Sequence, residues 1–142
     1  MKNKICILFL LISTVFFAQT HKIIGKWKSV DDETGKALSI IEIFEKGGKI
    51  YGKVHEILEE KDKKKVCIYC DGEDKNKPIQ GLIVIKGLNK KGNEYKGGKI
   101  LDPKSGNLYN CTIILEEKDK LKVRGFIGIS LFGRTQYWYR LK

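Results

Sequence analysis

The stretch DPKSGNLYNCTIILEEKDKLKVRGFIG, residues 102–128, contains two apolar runs and two turn signals. Asp102-Pro103 and Ser105-Gly106 form the strongest turn signal in the chain, because Pro fixes φ and Gly accepts φ > 0. In the run that follows, Tyr109, Cys111, Ile113 and Leu115 alternate with Asn110, Thr112 and Ile114 and make the more apolar set. Alternate residues of a strand share one face, so this run predicts a strand with Cys111 pointing inward. EKD at 117–119 then breaks the chain before a second apolar run at 120–128. The same rhythm extends in both directions. Strands are predicted at 23–30, 38–46, 49–58, 80–86, 94–101, 107–116, 120–128 and 134–141, with turn residues at 31–37, 47–48 and 88–93. Short, evenly spaced apolar runs of this kind are the all-β pattern. Short connections make neighbouring strands antiparallel, and an up-and-down order removes exposed edges by closing into an eight-stranded barrel. The one long connection, about 59–79, carries KKKVCIYCDGEDKNKP and leaves room for a short helix within 56–65.

Gly25-Lys26-Trp27 on the first strand, with an arginine on the last, resembles the calycin signature of lipocalins. That resemblance implies that Trp27 closes one end of the barrel and that Arg140, or Arg134 as second choice, packs over its ring. Longer stretches resemble the bacterial "domain of unknown function 2147" family. They are GKWKSVDDETGKALSIIEIFEKGGKIYGKV, KNKPIQG after the Cys-x-x-Cys, IKGL, GGKILDPKSGNLYNC and KVRGFIGISLFGRTQYW, over about 24–140. The resemblance implies a small exported protein with a lipocalin-like barrel and transfers no catalytic or binding residue.

The chain begins MKNKICILFLLISTVFFAQT. Two lysines precede an apolar run too short to span a bilayer, which reads as a signal peptide over 1–18 cut after Ala18. Residues 19–142 then form one domain, expected in the periplasm or outside the cell and as a monomer. The formal net charge is +11, but only three of the 28 basic residues are arginine and the lysines are scattered among acids. This argues for a solvated surface with contacts to anionic envelope or membrane surfaces, and against nucleic acid.

An exported chain meets oxidising conditions, which favour disulfides. Cys67, Cys70 and Cys111 lie beyond the cut, and Cys67–Cys70 is the simplest pair. A bridge from either to Cys111 would tie the long loop to the barrel, and spacing alone leaves the three pairings open. A redox centre fits less well, since acids and Pro78 follow Cys70 where a helix start would be needed. A zinc site would require Cys111 with His55 or His21 as further ligands and lacks a second ligand pair, so no metal is assigned.

No nucleophile–base–acid set and no phosphate loop is visible, so no catalytic residue, cofactor or turnover chemistry is expected. His55 shares the frame of Tyr51 and Lys53, at the barrel mouth or outside. The three arginines lie in 124–140, where aromatics also gather. Arg124, Arg134, Phe126, Tyr137 and Tyr139 are the candidate ligand-binding residues, with Glu42 or Asp102 as candidate salt-bridge partners for the arginines. The expected function is binding of a small apolar, amphipathic or anionic ligand in the barrel. An interaction module with a filled barrel and basic loops, and a thiol or metal protein using Cys67 and Cys70, are the alternatives.

Overall fold

A computed structural model describes residues 22–129 and 131–142. The segment read as a signal peptide and His21 lie outside the described residues. Eight strands form the molecule: β1 (Gly25–Val30), β2 (Ala37–Lys46), β3 (Lys49–Ile57), β4 (Ile83–Lys91), β5 (Glu94–Leu101), β6 (Leu108–Glu117), β7 (Lys120–Phe126) and β8 (Gly133–Arg140). Each pairs antiparallel with the next, and β8 returns to β1 through Trp27↔Arg140, Lys28↔Tyr139 and Ser29↔Trp138. The all-β, up-and-down, closed eight-stranded barrel read from the sequence is therefore the fold.

The two ends differ. Three tight turns gather at one end: Lys46 pairs with Lys49, Lys91 with Glu94 and Glu117 with Lys120. The longer β1–β2, β3–β4, β5–β6 and β7–β8 connections gather at the other, as an up-and-down order requires. β4 departs from its predicted position of 80–86. The polar run Asn89-Lys90-Lys91 reads as a turn, yet Gly92-Asn93 alone suffices to reverse the chain. The polar residues extend the ladder instead, against Lys96, Tyr95 and Glu94. Gln80–Leu82 leave the sheet, and the Gln80 side chain accepts a hydrogen bond from Ile57 N at 3.0 Å. The short helix expected within 56–65 is a single 3₁₀ turn, Glu60–Asp62.

The tight-turn end is sealed by a dense core. Ile23, Trp27, Ile43, Ile50, Ile85, Leu88, Ile113 and Leu121 are fully buried. Each large aliphatic side chain so buried contributes roughly 1.5–3 kcal/mol. Trp27 donates its indole N–H to Ile23 O at 2.8 Å. The Arg140 guanidinium lies 4.3 Å from the centroid of the Trp27 ring. It also donates to the carbonyls of Lys22 at 2.8 Å and Lys118 at 3.1 Å, and to Asp119 Oδ1 at 3.1 Å. Gly25 sits beneath that guanidinium at φ 133°, where a Cβ would meet Arg140 Nη1 at 3.4 Å. An L side chain rarely adopts that φ, so glycine is required on conformational grounds as well.

Candidate functional site

The loop-bearing end is not filled. A cavity of about 490 Å³ opens there and descends between the strands. Ile41, Val54, Val84, Ile100, Val123 and Trp138 make its apolar wall. A few polar groups face it. Ser29 Oγ and Ser39 Oγ share a hydrogen bond at 2.7 Å, and Gln136 Oε1 accepts from the Trp138 indole at 3.2 Å. Tyr109 lines the cavity too, with its hydroxyl 3.3 Å from Asn107 Nδ2. The size and the balance of apolar wall to few polar groups match small-molecule sites, which span roughly 300–1,000 Å³.

Charged residues ring the mouth. Asp31, Glu59, Asp62 and Asp102 supply carboxylates; Lys65, Lys104 and Arg134 supply cations. Most are held by ion pairs or by hydrogen bonds to nearby backbone and side chains. Arg134 grips Asp32 through Nε at 2.8 Å and Nη2 at 2.5 Å. These hydrogen bonds hold the Asp32 carboxyl below its usual range and raise the Arg134 guanidinium further. Asp31 is lowered by the backbone N–H groups of Thr34 and Glu33, which it caps at 2.9 and 2.8 Å. Asp62 is lowered by its ion pair with Lys65 at 2.7 Å. Lys36 pairs with Glu59, joining the β1–β2 and β3–β4 loops.

The long β3–β4 connection folds over one side of the mouth. Val66 and Pro78 form a bridge, and Cys67 N donates to Lys77 O at 2.8 Å. Cys67 and Cys70 are joined as a disulfide, and both sulfur-bearing side chains are buried. Cys67 Sγ lies 3.5 Å from Pro103 O in the β5–β6 turn. Gly106 of that turn has φ 74°, and a Cβ there would sit 1.9 Å from Tyr69 O. Only glycine permits this approach.

The chain matches, over residues 25–140, the model of a family described as "Uncharacterized protein conserved in bacteria (DUF2147)". It belongs to the DUF2147 family. No curated protein matches the chain. Among solved structures, it is similar to protein HP1028 from Helicobacter pylori, described as belonging to the lipocalin family. The two share 23% identity and a TM-score of 0.75, over 87% of this chain and 85% of that one, a likeness of fold.

The candidate residues separate cleanly on this DUF2147 barrel. Arg134 and Phe126 line the cavity mouth. Arg124, Tyr137 and Tyr139 do not line it; they face outward. On β8 the inward frame is Arg134, Gln136, Trp138 and Arg140, which turns Thr135, Tyr137 and Tyr139 to the outside. On β7, buried Leu121 and Val123 set the inward frame, and Arg124 lies opposite. Arg124 Nη1 donates to Thr135 Oγ1 at 2.8 Å on that outer face. Arg134 takes Asp32 as its partner, not Glu42 or Asp102. Glu42 lies instead 3.7 Å from Lys53 and 3.8 Å from His55, which is exposed. Cys111 is buried and free, and burial pushes its thiol up to about 12. Among the described residues, no three His, Cys, Asp or Glu side chains are grouped to hold a metal ion. The polar residues missed from sequence are Ser29, Ser39 and Gln136. Their signal was available: Ser29 and Gln136 each stand two residues from an inward tryptophan.

Proposed function

We propose that this protein is an exported binding protein that takes a small apolar or amphipathic molecule into its barrel, without turnover. The observation that carries this reading is the cavity of about 490 Å³, apolar in its depth and charged only at its mouth. The apolar part of a ligand would be buried against Ile41, Val54, Val84 and Val123. Its polar end would meet Ser29, Ser39 and Gln136, or Lys104 and Arg134 at the rim. Burial of apolar surface supplies the affinity, and the few polar groups set orientation. An open cavity of this size favours ligand binding over an interaction module with a filled barrel. A buried Cys67–Cys70 disulfide and a buried, poorly acidic Cys111 disfavour thiol chemistry, which needs an accessible thiolate.

Native mass spectrometry of the protein exported by its own host tests the reading. A retained small-molecule mass is expected, together with loss of residues 1–18. Anilinonaphthalene sulfonate should bind the emptied protein and be displaced by palmitate or by a long-chain alcohol. Neither a retained mass nor a displaceable dye would sink the proposal. Stronger displacement by palmitate than by the alcohol would assign the rim cations to a ligand carboxylate.

A further inference from the structure

The β7–β8 hairpin carries two features that the cavity does not use. The first is its tip. Ile127, Ile129, Leu131 and Phe132 are 67%, 59%, 80% and 70% exposed. The turn is fixed by hydrogen bonds from Ile127 N to Phe132 O at 2.9 Å and from Phe132 N to Ile129 O at 3.2 Å. Leu108, at the adjacent start of β6, is also more than half exposed. Contiguous apolar surface of this kind marks an interaction site.

The second is the outer face of the same hairpin and of β1 beside it. Tyr137 and Tyr139 run along its middle, 37% and 42% exposed. Lys120 and Lys122 flank them in register on one side and Lys28 on the other. Arg124 and Lys26 continue the two rows, and no acidic residue occupies an outward position on these three strands. The carboxylates bordering this face are Glu116 on β6, 3.8 Å from Lys120, Glu42 on β2, opposite Lys26, and Asp31 and Asp32 at the loop end beside Tyr137 and Tyr139. Lys120 also lies 4.7 Å from the Tyr137 ring centroid.

We propose that this hairpin is a docking surface for an anionic lipid membrane. The apolar tip enters the headgroup region, and the basic face leans against the anionic headgroups. Apolar side chains, interfacial tyrosines and a cluster of cations together match what a membrane surface selects. The charge complementarity favours lipid over a second copy of this chain, whose own hairpin is equally basic. Asp31 and Asp32, which border Tyr137 and Tyr139 at the β1–β2 loop, and Glu33 beside them are repelled by anionic headgroups, so the molecule leans toward β7. Docking in this pose sets the cavity mouth, at Phe126 and Gly133, beside the lipid. The inference does not depend on what the cavity holds.

Flotation with vesicles of phosphatidylcholine alone, and of phosphatidylcholine mixed equally with phosphatidylglycerol, tests it. The protein is expected to float with the mixed vesicles, less so as salt is raised. The double variant Leu131→Ser/Phe132→Ser should weaken binding on the order of tenfold or more. Lys122→Glu should cost about fivefold or more on the mixed vesicles and little on phosphatidylcholine. A Leu131→Trp reporter should shift its emission to the blue on mixed vesicles, above the constant signal of buried Trp27 and Trp138. Failure of the parent protein to float, an unshifted Leu131→Trp emission, or a double variant that binds as the parent does would each overturn the proposal. So would a dimer that the double variant converts to monomers without any vesicle binding, which would make the tip a contact between copies.

Discussion

Arg140 is the residue whose contacts reach furthest along the chain. Its guanidinium covers Trp27 and satisfies the carbonyls of Lys22 and Lys118, tying the entry of β1 to the β6–β7 turn. Lysine has no planar fork and cannot serve these acceptors together. Arg140→Ala is expected to cost about 2–3 kcal/mol, because the cation–π contact disappears and the carbonyls are left unpaired. Arg140→Lys should recover less than half of that, and urea unfolding measures both. Arg134 answers to a different test. Its partner Asp32 has a depressed carboxyl pKa, so the pair's contribution is complete above the unfolded value of about 3.9 and disappears as pH falls through the folded value. Exposed pairs are worth roughly 0–1 kcal/mol, so global stability should scarcely register this. Hydrogen exchange in residues 31–36 should rise on acidification below that window, and Asp32→Asn should show the raised exchange at neutral pH. An acid response unchanged by Asp32→Asn would assign it to another carboxylate, such as Asp31. These two arginines belong to one inward frame on β8. Tyr137 and Tyr139 stand in the other frame, and bulk and aromaticity drew attention to them. Period-two alternation from Trp138, buried between two exposed tyrosines, decides the frame, and that burial is not written in composition.

The β3–β4 connection is the element where sequence and structure part most instructively. Strand positions were legible because apolar runs and turn residues are local signals. The start of β4 was not, since Gln80 and Gly81 run straight into the apolar residues Leu82–Ile85 and only their hydrogen bonds to Ile57 and Val54 mark them as a turn. The Cys67–Cys70 pairing was one of three open choices, and it is settled by the frame of β6, which points Cys111 into the core beside Gly98 and Gly125. The resulting disulfide spans a sequence separation of three. A loop so small yields a chain-entropy effect of roughly 2 kcal/mol, before the interactions of the folded loop are added. The Cys67→Ser/Cys70→Ser variant should therefore fold, with a modest drop in stability. Its larger effect should be local: proteolysis within 58–82 should quicken much more than global unfolding does. Gly106→Ala tests the same contact from the other side. A Cβ there collides with Tyr69 O, so the loop must leave the β5–β6 turn even with the disulfide intact. Matching proteolysis patterns in the two variants would locate the anchor at this contact; protection of the loop in Gly106→Ala would show that the disulfide alone suffices.

At the scale of the whole barrel, one end is packed and the other is open, and the two conditions pull stability and binding in opposite directions. The dense core around Trp27 specifies closure, while the cavity above it leaves apolar walls without partners. The barrel itself follows from the order of eight strands, but the cavity does not. It depends on which side chains meet across the interior, and those lie far apart in sequence: Ile41, Val84 and Val123 share one wall system. Filling that space should raise stability, because wall atoms that face a void have no packing partners on that side. Val123→Phe places a larger apolar group on a buried, cavity-lining position without touching the mouth. It is expected to add on the order of 1 kcal/mol to the ligand-free protein and to abolish displaceable dye binding. Val84→Phe, on another wall strand, should act the same way. Ser39→Val removes a polar group and should shift ligand preference with little change in volume. If the phenylalanine variants gain stability and still bind as the parent does, the ligand site lies outside the barrel. If they lose stability together with binding, the space is already filled by rearranged side chains, and the cavity is not the origin of any affinity.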